Sequence, residues 1–260
     1  MKPLTEHPYT PELLTHKRYF WNCKTTEELQ DYYKHLPHKG DDMAALLAIT
    51  QNNKKVHRLI ASTVPTLDGW SSTTKVCVMA ALVLATKPKV CCEIGVWAGR
   101  SLFGFAVGAK EIGGCRVVGI DAYSNHVSAE NEVESNSTWW MAQDHAAIHR
   151  KCLELLKRFD LQAEVVAKKS DDVDPSSTLG RIDLWHCDGS HTEQSVRDVE
   201  RYAPLIPVGG IAIMDDLHWV MGGPLRAVDT LEDIGFMEAF RVVGNENNES
   251  NDWGVWQRVR

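Results

Sequence analysis

The chain has 260 residues, a net charge of −7 and a pI near 5.9. Hydrophobic residues make up 43% and charged residues 24%, so it reads as a globular chain with room for one large α/β domain and an appendage, or two small domains. The acidic balance, with no Lys/Arg cluster, argues against general nucleic-acid binding, and no apolar run is long enough to span a membrane.

Seven cysteines are scattered at Cys23, Cys77, Cys91, Cys92, Cys115, Cys152 and Cys187, with no CxxC pair. Buried free thiols are expected, which suits a reducing compartment. The N-terminus lacks an apolar signal region, so a cytoplasmic location is expected, and the sequons at Asn136 and Asn248 carry little weight.

Residues 1–68 are mixed and polar. "TTEELQDYYKHL" predicts a helix, and "DDMAALLAITQNNKKVHRLIAS" predicts a second, opened by aspartates in its first turn. This helical N-terminal extension is expected to cap a site or form a subunit contact, which leaves room for a homo-oligomer. From residue 69 to 260 strands and helices alternate. "KVCCEIG" is a strand and "RSLFGFAVGAKEIG" a helix; "CRVVGID" is the next strand. "AAIHRKCLELLKRFDL" then forms a helix with Ile148, Cys152, Leu155, Leu156 and Phe159 on one face. "AEVVAKK" and "IDLWHCD" are strands. A helix follows with Val196, Val199, Ala203 and Ile206 on one face, then the strand "GIAIMDD". "FRVVG" and "GVWQRV" predict a closing antiparallel pair around a polar hairpin loop at 244–252. Short, nearly all-apolar strands alternating with helices imply a mostly parallel sheet covered on both faces. Ligands bind such sheets beyond the carboxyl ends of the strands.

"EIGVWAGRS" follows the first of these strands and opens a helix. Gly95 and Gly99 permit a tight turn and close approach to a ligand. The spacing is E-x-G-x-x-x-G, not the G-x-G-x-x-G of dinucleotide sites, and a leading Glu93 suits a cationic ligand such as an amino group or sulfonium. Asp121 ends the next strand, where a carboxylate can accept both hydroxyls of a ribose. Each feature alone also has a structural explanation, since turns need glycine. Together they point to an adenosine-bearing cofactor.

"EIGVWAGRS", "VVGIDAYS" and "IDLWHCDGSH…RYAPLIPVGGIAIMDD" resemble class I S-adenosylmethionine-dependent methyltransferases, nearest to the small-molecule O-methyltransferases. "DGSH…D…YAPLIPVGG" is similar to the subgroup of macrocin-type sugar O-methyltransferases and cephalosporin-hydroxylase-like proteins. The resemblance covers residues 69–260 and implies a Rossmann-like seven-stranded sheet with an antiparallel last strand. It implies that Glu93, Gly95, Gly99 and Ser101 hold the methionine part of S-adenosylmethionine, that Asp121 binds the ribose, and that Ser170 and Asp171 lie by the adenine. Asp188 would touch both the cofactor and a metal.

Asp188, Asp215 and Asp216 end two strands whose tips should converge. Three carboxylates repel one another unless one is protonated or a cation sits between them. All-oxygen ligands favour Mg²⁺, Mn²⁺ or Ca²⁺. Cys187 alternates to the opposite face from Asp188. Such a metal would lower the pKa of an acceptor hydroxyl, and His191, three residues past Asp188, would be the general base. Strand-end aspartates also serve as helix caps, and a lone histidine is commonly a capping or surface residue. The metal-dependent catechol O-methyltransferase pattern has Lys where this chain has His191 and Asn where it has Asp216. The sugar O-methyltransferases, with a His base and an acidic pair, resemble it more closely.

Segment 122–144 is long enough to be a lid. Trp139 and Trp140, with Trp97 and Trp219, are candidates to stack on a flat or sugar-like acceptor, or to cement a core. His218 lines the acceptor pocket or faces solvent. His186 is expected in the core, and His145 and His149 at the surface. The expected activity is O-methylation of a small-molecule hydroxyl. The rivals are a nicotinamide oxidoreductase and a non-catalytic member of the same fold acting as an interaction protein.

Overall fold

The computed structural model describes residues 17–23, 26–35, 39–243 and 252–260. The hairpin loop expected at 244–252 lies outside them except for Asp252. Seven strands form one sheet: β1 (Val90–Ile94), β2 (Arg116–Asp121), β3 (Glu164–Ala167), β4 (Leu184–Cys187), β5 (Ile211–Asp215), β6 (Phe236–Val242) and β7 (Trp253–Arg258). Their order is β3-β2-β1-β4-β5-β7-β6. The first five run parallel, and β7 lies antiparallel to both β5 and β6. The expected seven-stranded, mostly parallel architecture is thus present. The chain reverses direction across the sheet between β1 and β4, where ligands of such sheets bind.

Helices α1 (Thr26–Lys34), α2 (Lys39–Asn52) and α3 (Lys54–Thr63) precede the sheet. The run 41–62, expected as one helix, breaks at Asn53. The Asn53 side chain accepts a bond from Val56 N (3.1 Å) and so caps a new helix. The later helices are α4 (Thr73–Thr86), α5 (Leu102–Ile112), α6 (Asn125–Ser128), α7 (Glu134–Met141), α8 (His145–Arg158), α9 (Pro175–Leu179), α10 (Glu193–Tyr202) and α11 (Gly223–Asp233).

Alternation along the strands sends neighbours to two separate cores. Cys91, Val117, Leu184 and Ile211 pack with residues of α2, α4, α5 and α8. Cys92, Val118, Trp185 and Ala212 pack with residues of α10 and α11. Near-continuous apolar strands are what a sheet buried on both faces requires. The chain ahead of residue 69 is part of the first core: Tyr19, Phe20 and Trp21 are buried, and the Phe20 ring meets Phe240 of β6 edge-on at 6.3 Å.

Candidate active site

A cavity of about 520 Å³ opens beyond the carboxyl ends of β1, β2, β4 and β5. That volume suits a nucleoside-sized ligand with a small acceptor. Gly95, Ser101, Asp121, Ser170, Asp188, His191, Asp215 and Asp216 all line it. Glu93, Gly99 and Asp171 do not.

The glycine turn after β1 has a different logic from the one expected. A Cβ on Gly95 would stand 1.8 Å from the backbone oxygen of Asp188, and one on Gly99 would stand 2.9 Å from Cys152 Sγ. Both glycines also have positive φ, 85° and 86°. Their bare backbones are therefore required by the protein itself, at the β4 tip and against α8, before any ligand arrives. Asp121 holds the same turn. Its Oδ2 accepts from Val96 N and Trp97 N (2.9 Å each), and its Oδ1 accepts from Tyr123 N at 2.8 Å. The carboxylate still faces the cavity, with lone pairs left for a ribose.

Glu93, expected beside the cofactor, is not part of the cavity lining. It is fully buried beneath the cavity floor, where it accepts from the Ser101 hydroxyl and meets His186 Nδ1 at 3.1 Å. Burial pushes its carboxyl well above the usual range, against the Ser101 hydrogen bond and nearby Lys75. Ser170 reaches the cavity, but Asp171 turns away and pairs with Arg201 at 3.2 Å. Gln194, from α10, bridges Asp171 and Asp198 (2.9 and 3.0 Å) and closes this end.

Strand parity puts Glu93, His186, Asp188 and Asp215 on the face covered by α4. There Lys75, only 1% exposed, contacts Asp215 and lies 3.8 Å from Asp188. Desolvation lowers the Lys75 pKa against the pull of Asp188, Asp216 and Glu93. The sequence reading missed Lys75. Its signal was a single cation inside the apolar helix "TTKVCVMAALVLAT". His186 is in the core as expected; burial drops its pKa well below the ordinary value, so it is neutral.

The expected Asp188, Asp215 and Asp216 divide between two sets of converging donor atoms, Asp188 and Asp215 with His186, and Asp188 and Asp216 with His191. Asp215 Oδ2 is taken by Lys75, and its Oδ1 accepts from Asp216 N at 3.2 Å. Asp216 adopts the left-handed region, φ 50°, and swings to the other side. There its Oδ2 lies 2.8 Å from His191 Nε2. Asp188, His191 and Asp216 offer donor atoms all within 4.8 Å of one another. The Asp188 side chain accepts no hydrogen bond from any described residue. Burial, together with Asp216, pushes its carboxyl up to about 7 against the pull of Lys75. Burial alone would lower His191, but Asp216, Asp188 and Glu132 outweigh it and raise its pKa. Asp216 is held below its usual range because the same imidazole contact overcomes its burial. Two carboxylates free to face the cavity, one without any donor, fit a hard divalent cation.

Tryptophans form one wall. Trp97 stands at φ 50° in the turn, its ring 5.3 Å from Trp70 and 5.8 Å from Trp139. Trp139 and Trp140 meet at 4.9 Å, and the Trp219 ring lies 4.4 Å from His191. His145, expected at the surface, is buried in this wall against Trp97 and Trp140. His149 is half-buried, stacked on Tyr123 at 4.2 Å. His218 is out of the cavity and paired with Asp252. Segment 122–144 is not a plain loop but α6 and α7, joined by Asn125, whose amide donates to the carbonyls of Trp140, Met141 and Gln143.

A family model described as a methyltransferase domain matches residues 92–217. No curated protein matches the chain in sequence. Among solved structures, cofactor-bound Rv0187 from MTB superposes with a TM-score of 0.53 at 18% identity, covering 92% of this chain and 99% of its own. The O-methyltransferase NovP gives 0.53 at 17% identity, over 79% of this chain and 81% of its own. An O-methyltransferase from Bacillus cereus, in complex with SAH, gives 0.53 at 18% identity, over 82% of this chain and 91% of its own. These likenesses show the fold, and the nicotinamide alternative draws no support from them. The strand order and the methyltransferase-domain match over residues 92–217 agree with the fold that these structures share.

Proposed function

We propose that the protein moves a methyl group from S-adenosylmethionine to a hydroxyl of a small molecule, with His191 as general base. The observation that carries this reading is the placement of His191, Asp188 and Asp216 in one cavity with the Asp121-braced turn. The bound cofactor supplies an electrophilic methyl group. A divalent cation held by Asp188 and Asp216 would lower the pKa of the acceptor hydroxyl. His191 takes the hydroxyl proton, and Asp216, 2.8 Å from its Nε2, stabilises the imidazolium that results. Lys75 offsets the charge of Asp215, so that Asp188 and Asp216 remain for the cation. The tryptophan wall excludes water and offers flat faces to the acceptor. The seven free cysteines suit action in the reducing cytoplasm.

The test has two parts. Calorimetry with S-adenosylhomocysteine, with Mg²⁺ and then with chelator, reads the cofactor site. A panel of sugars, phenols and polyketides with S-adenosylmethionine reads turnover. His191→Ala should lower turnover by about two orders of magnitude while S-adenosylhomocysteine still binds. Undiminished turnover in that variant removes His191 as base, and no cofactor binding in the wild type removes the whole reading.

A further inference from the structure

At the β3 end of the cavity one side-chain amide ties together the polar groups of two elements. In the sheet register Asp121, the last residue of β2, stands beside Ala167, the last residue of β3. Ser170 follows three residues past that tip and lines the cavity together with Asp121. Gln194 reaches the same point from α10. Its Nε2 donates to Ser170 Oγ (3.3 Å), Asp171 Oδ1 (2.9 Å) and Asp198 Oδ1 (3.0 Å). Its Oε1 accepts from Arg197 Nη2. Arg197 therefore fixes the way the amide points, with its NH₂ turned to the two acids.

Asp198 is the member left open. It is 1% exposed and lines the cavity. Gln194 holds its Oδ1, but its Oδ2 is buried and has no hydrogen-bond partner among the described residues. Gly189, past the tip of β4, also lines the cavity beside that oxygen; a Cβ there would stand 3.7 Å from Asp198 Oδ2. A buried carboxylate oxygen without a donor is destabilising. What it lacks is an N–H or O–H, and the open side is the cavity.

We propose that Asp198 reads the base of the methyl donor: its Oδ2 accepts the exocyclic amine of adenine and so selects an amino-purine over an oxo-purine. This rests on the S-adenosylmethionine reading and is independent of His191 and of any metal. A nucleoside whose ribose sits on Asp121 extends its base past the β3 tip, toward Ser170 and Asp198. Ile94, Ile120 and Val127 give apolar lining to the faces of the base. An ionised carboxylate only accepts, so it pairs with an amine and repels a carbonyl oxygen put in the same place. Gln194 also dictates how an amide would sit here. Because it donates at the δ1 position, Asp198→Asn keeps its oxygen there and turns its NH₂ to the δ2 position.

The experiment is calorimetry of S-adenosylhomocysteine and of its deaminated analogue, S-inosylhomocysteine, on the wild type and on Asp198→Asn. It is run at about pH 8, where the carboxyl, pushed up to about 6 by burial, is ionised. The wild type should bind S-adenosylhomocysteine about a hundredfold more tightly, because a site built to pair with a ligand N–H rejects the analogue lacking it. Asp198→Asn should bind S-adenosylhomocysteine about tenfold more weakly than the wild type does, and S-inosylhomocysteine more tightly, so that the preference collapses or inverts. A merely structural role would weaken both ligands by one factor and keep their ratio. Equal affinity of the wild type for the two ligands overturns the inference, as does an unchanged ratio in Asp198→Asn. The wild-type comparison needs no variant and stands even where Asp198→Asn fails to fold. Binding of neither ligand to the wild type removes the S-adenosylmethionine reading itself, and the inference with it, a result distinct from equal binding of both.

Discussion

At the end of β2, Asp121 accepts three backbone N–H groups; at the end of β4, Asp188 accepts none from the described residues. The contrast runs through both halves of the cavity. The cofactor half is made of backbone and satisfied polar groups: the glycine turn, Asp121, Ser170 and the Gln194 bridge. The acceptor half is made of charges that are buried and incompletely paired: Asp188, His191 and a left-handed Asp216. A half that binds an invariant donor can be finished in advance. A half that does proton chemistry holds groups whose partners arrive with the ligand, and it gives up stability for that.

The largest effect should come where the two halves touch. Gly95→Ala forces a Cβ into the Asp188 carbonyl at a positive φ. A cost of roughly 3–6 kcal/mol is expected from overpacking and backbone strain together. Thermal unfolding and soluble yield measure it, and a wild-type melting profile would contradict the contact. Next comes Lys75→Met, which leaves Asp215 buried without its cation. Breaking such a pair costs about 3–5 kcal/mol, so denaturant unfolding should shift strongly, and the double variant Lys75→Met with Asp215→Leu should regain most of the loss. Asp121→Asn acts on the finished half only. It weakens the brace on the turn, and calorimetry should show S-adenosylhomocysteine binding about tenfold weaker, with the melting temperature little changed.

The smallest effect concerns pH. Asp198, inside the cofactor half, has one oxygen without a hydrogen-bond partner among the described residues, and burial pushes its carboxyl up to about 6. A carboxyl raised in the folded state keeps its proton longer there than in the unfolded chain. Its stabilisation is full below about pH 4, the ordinary aspartate value, and is lost as pH rises through about 6. The melting temperature of Asp198→Asn should therefore fall less than that of wild type between these limits. Parallel curves would show that Asp198 ionises normally.

The sheet was legible because its strands are short apolar runs that stop on polar residues, and the alternation of Cys91 with Cys92 or Leu184 with Trp185 needs only a period of two. The strand-end acids were legible for the same reason. What they do was less so. Asp215 and Asp216 are adjacent in sequence, but a single left-handed residue sends one to Lys75 and the other to His191, and nothing in "MDD" announces that φ. Lys75 comes from 140 positions away. Glu93 leads the glycine turn, and nothing in the sequence announces that its side chain is fully buried beside Ser101 and His186. Glu132 sits in a polar stretch, where acidic residues ordinarily mean solvent.

Two tryptophans of the wall and several polar residues of the cavity lining share one origin that matters for engineering. Trp139, Trp140, Glu130, Glu132 and Asn136 all fall in segment 122–144, one continuous insert between β2 and α8. The glycine turn, Asp121 and Ser170 lie outside it. On the proposed function, a chimera that exchanges this cassette while keeping the Asn125 amide ties should change which acceptors are admitted and leave the sheet in place.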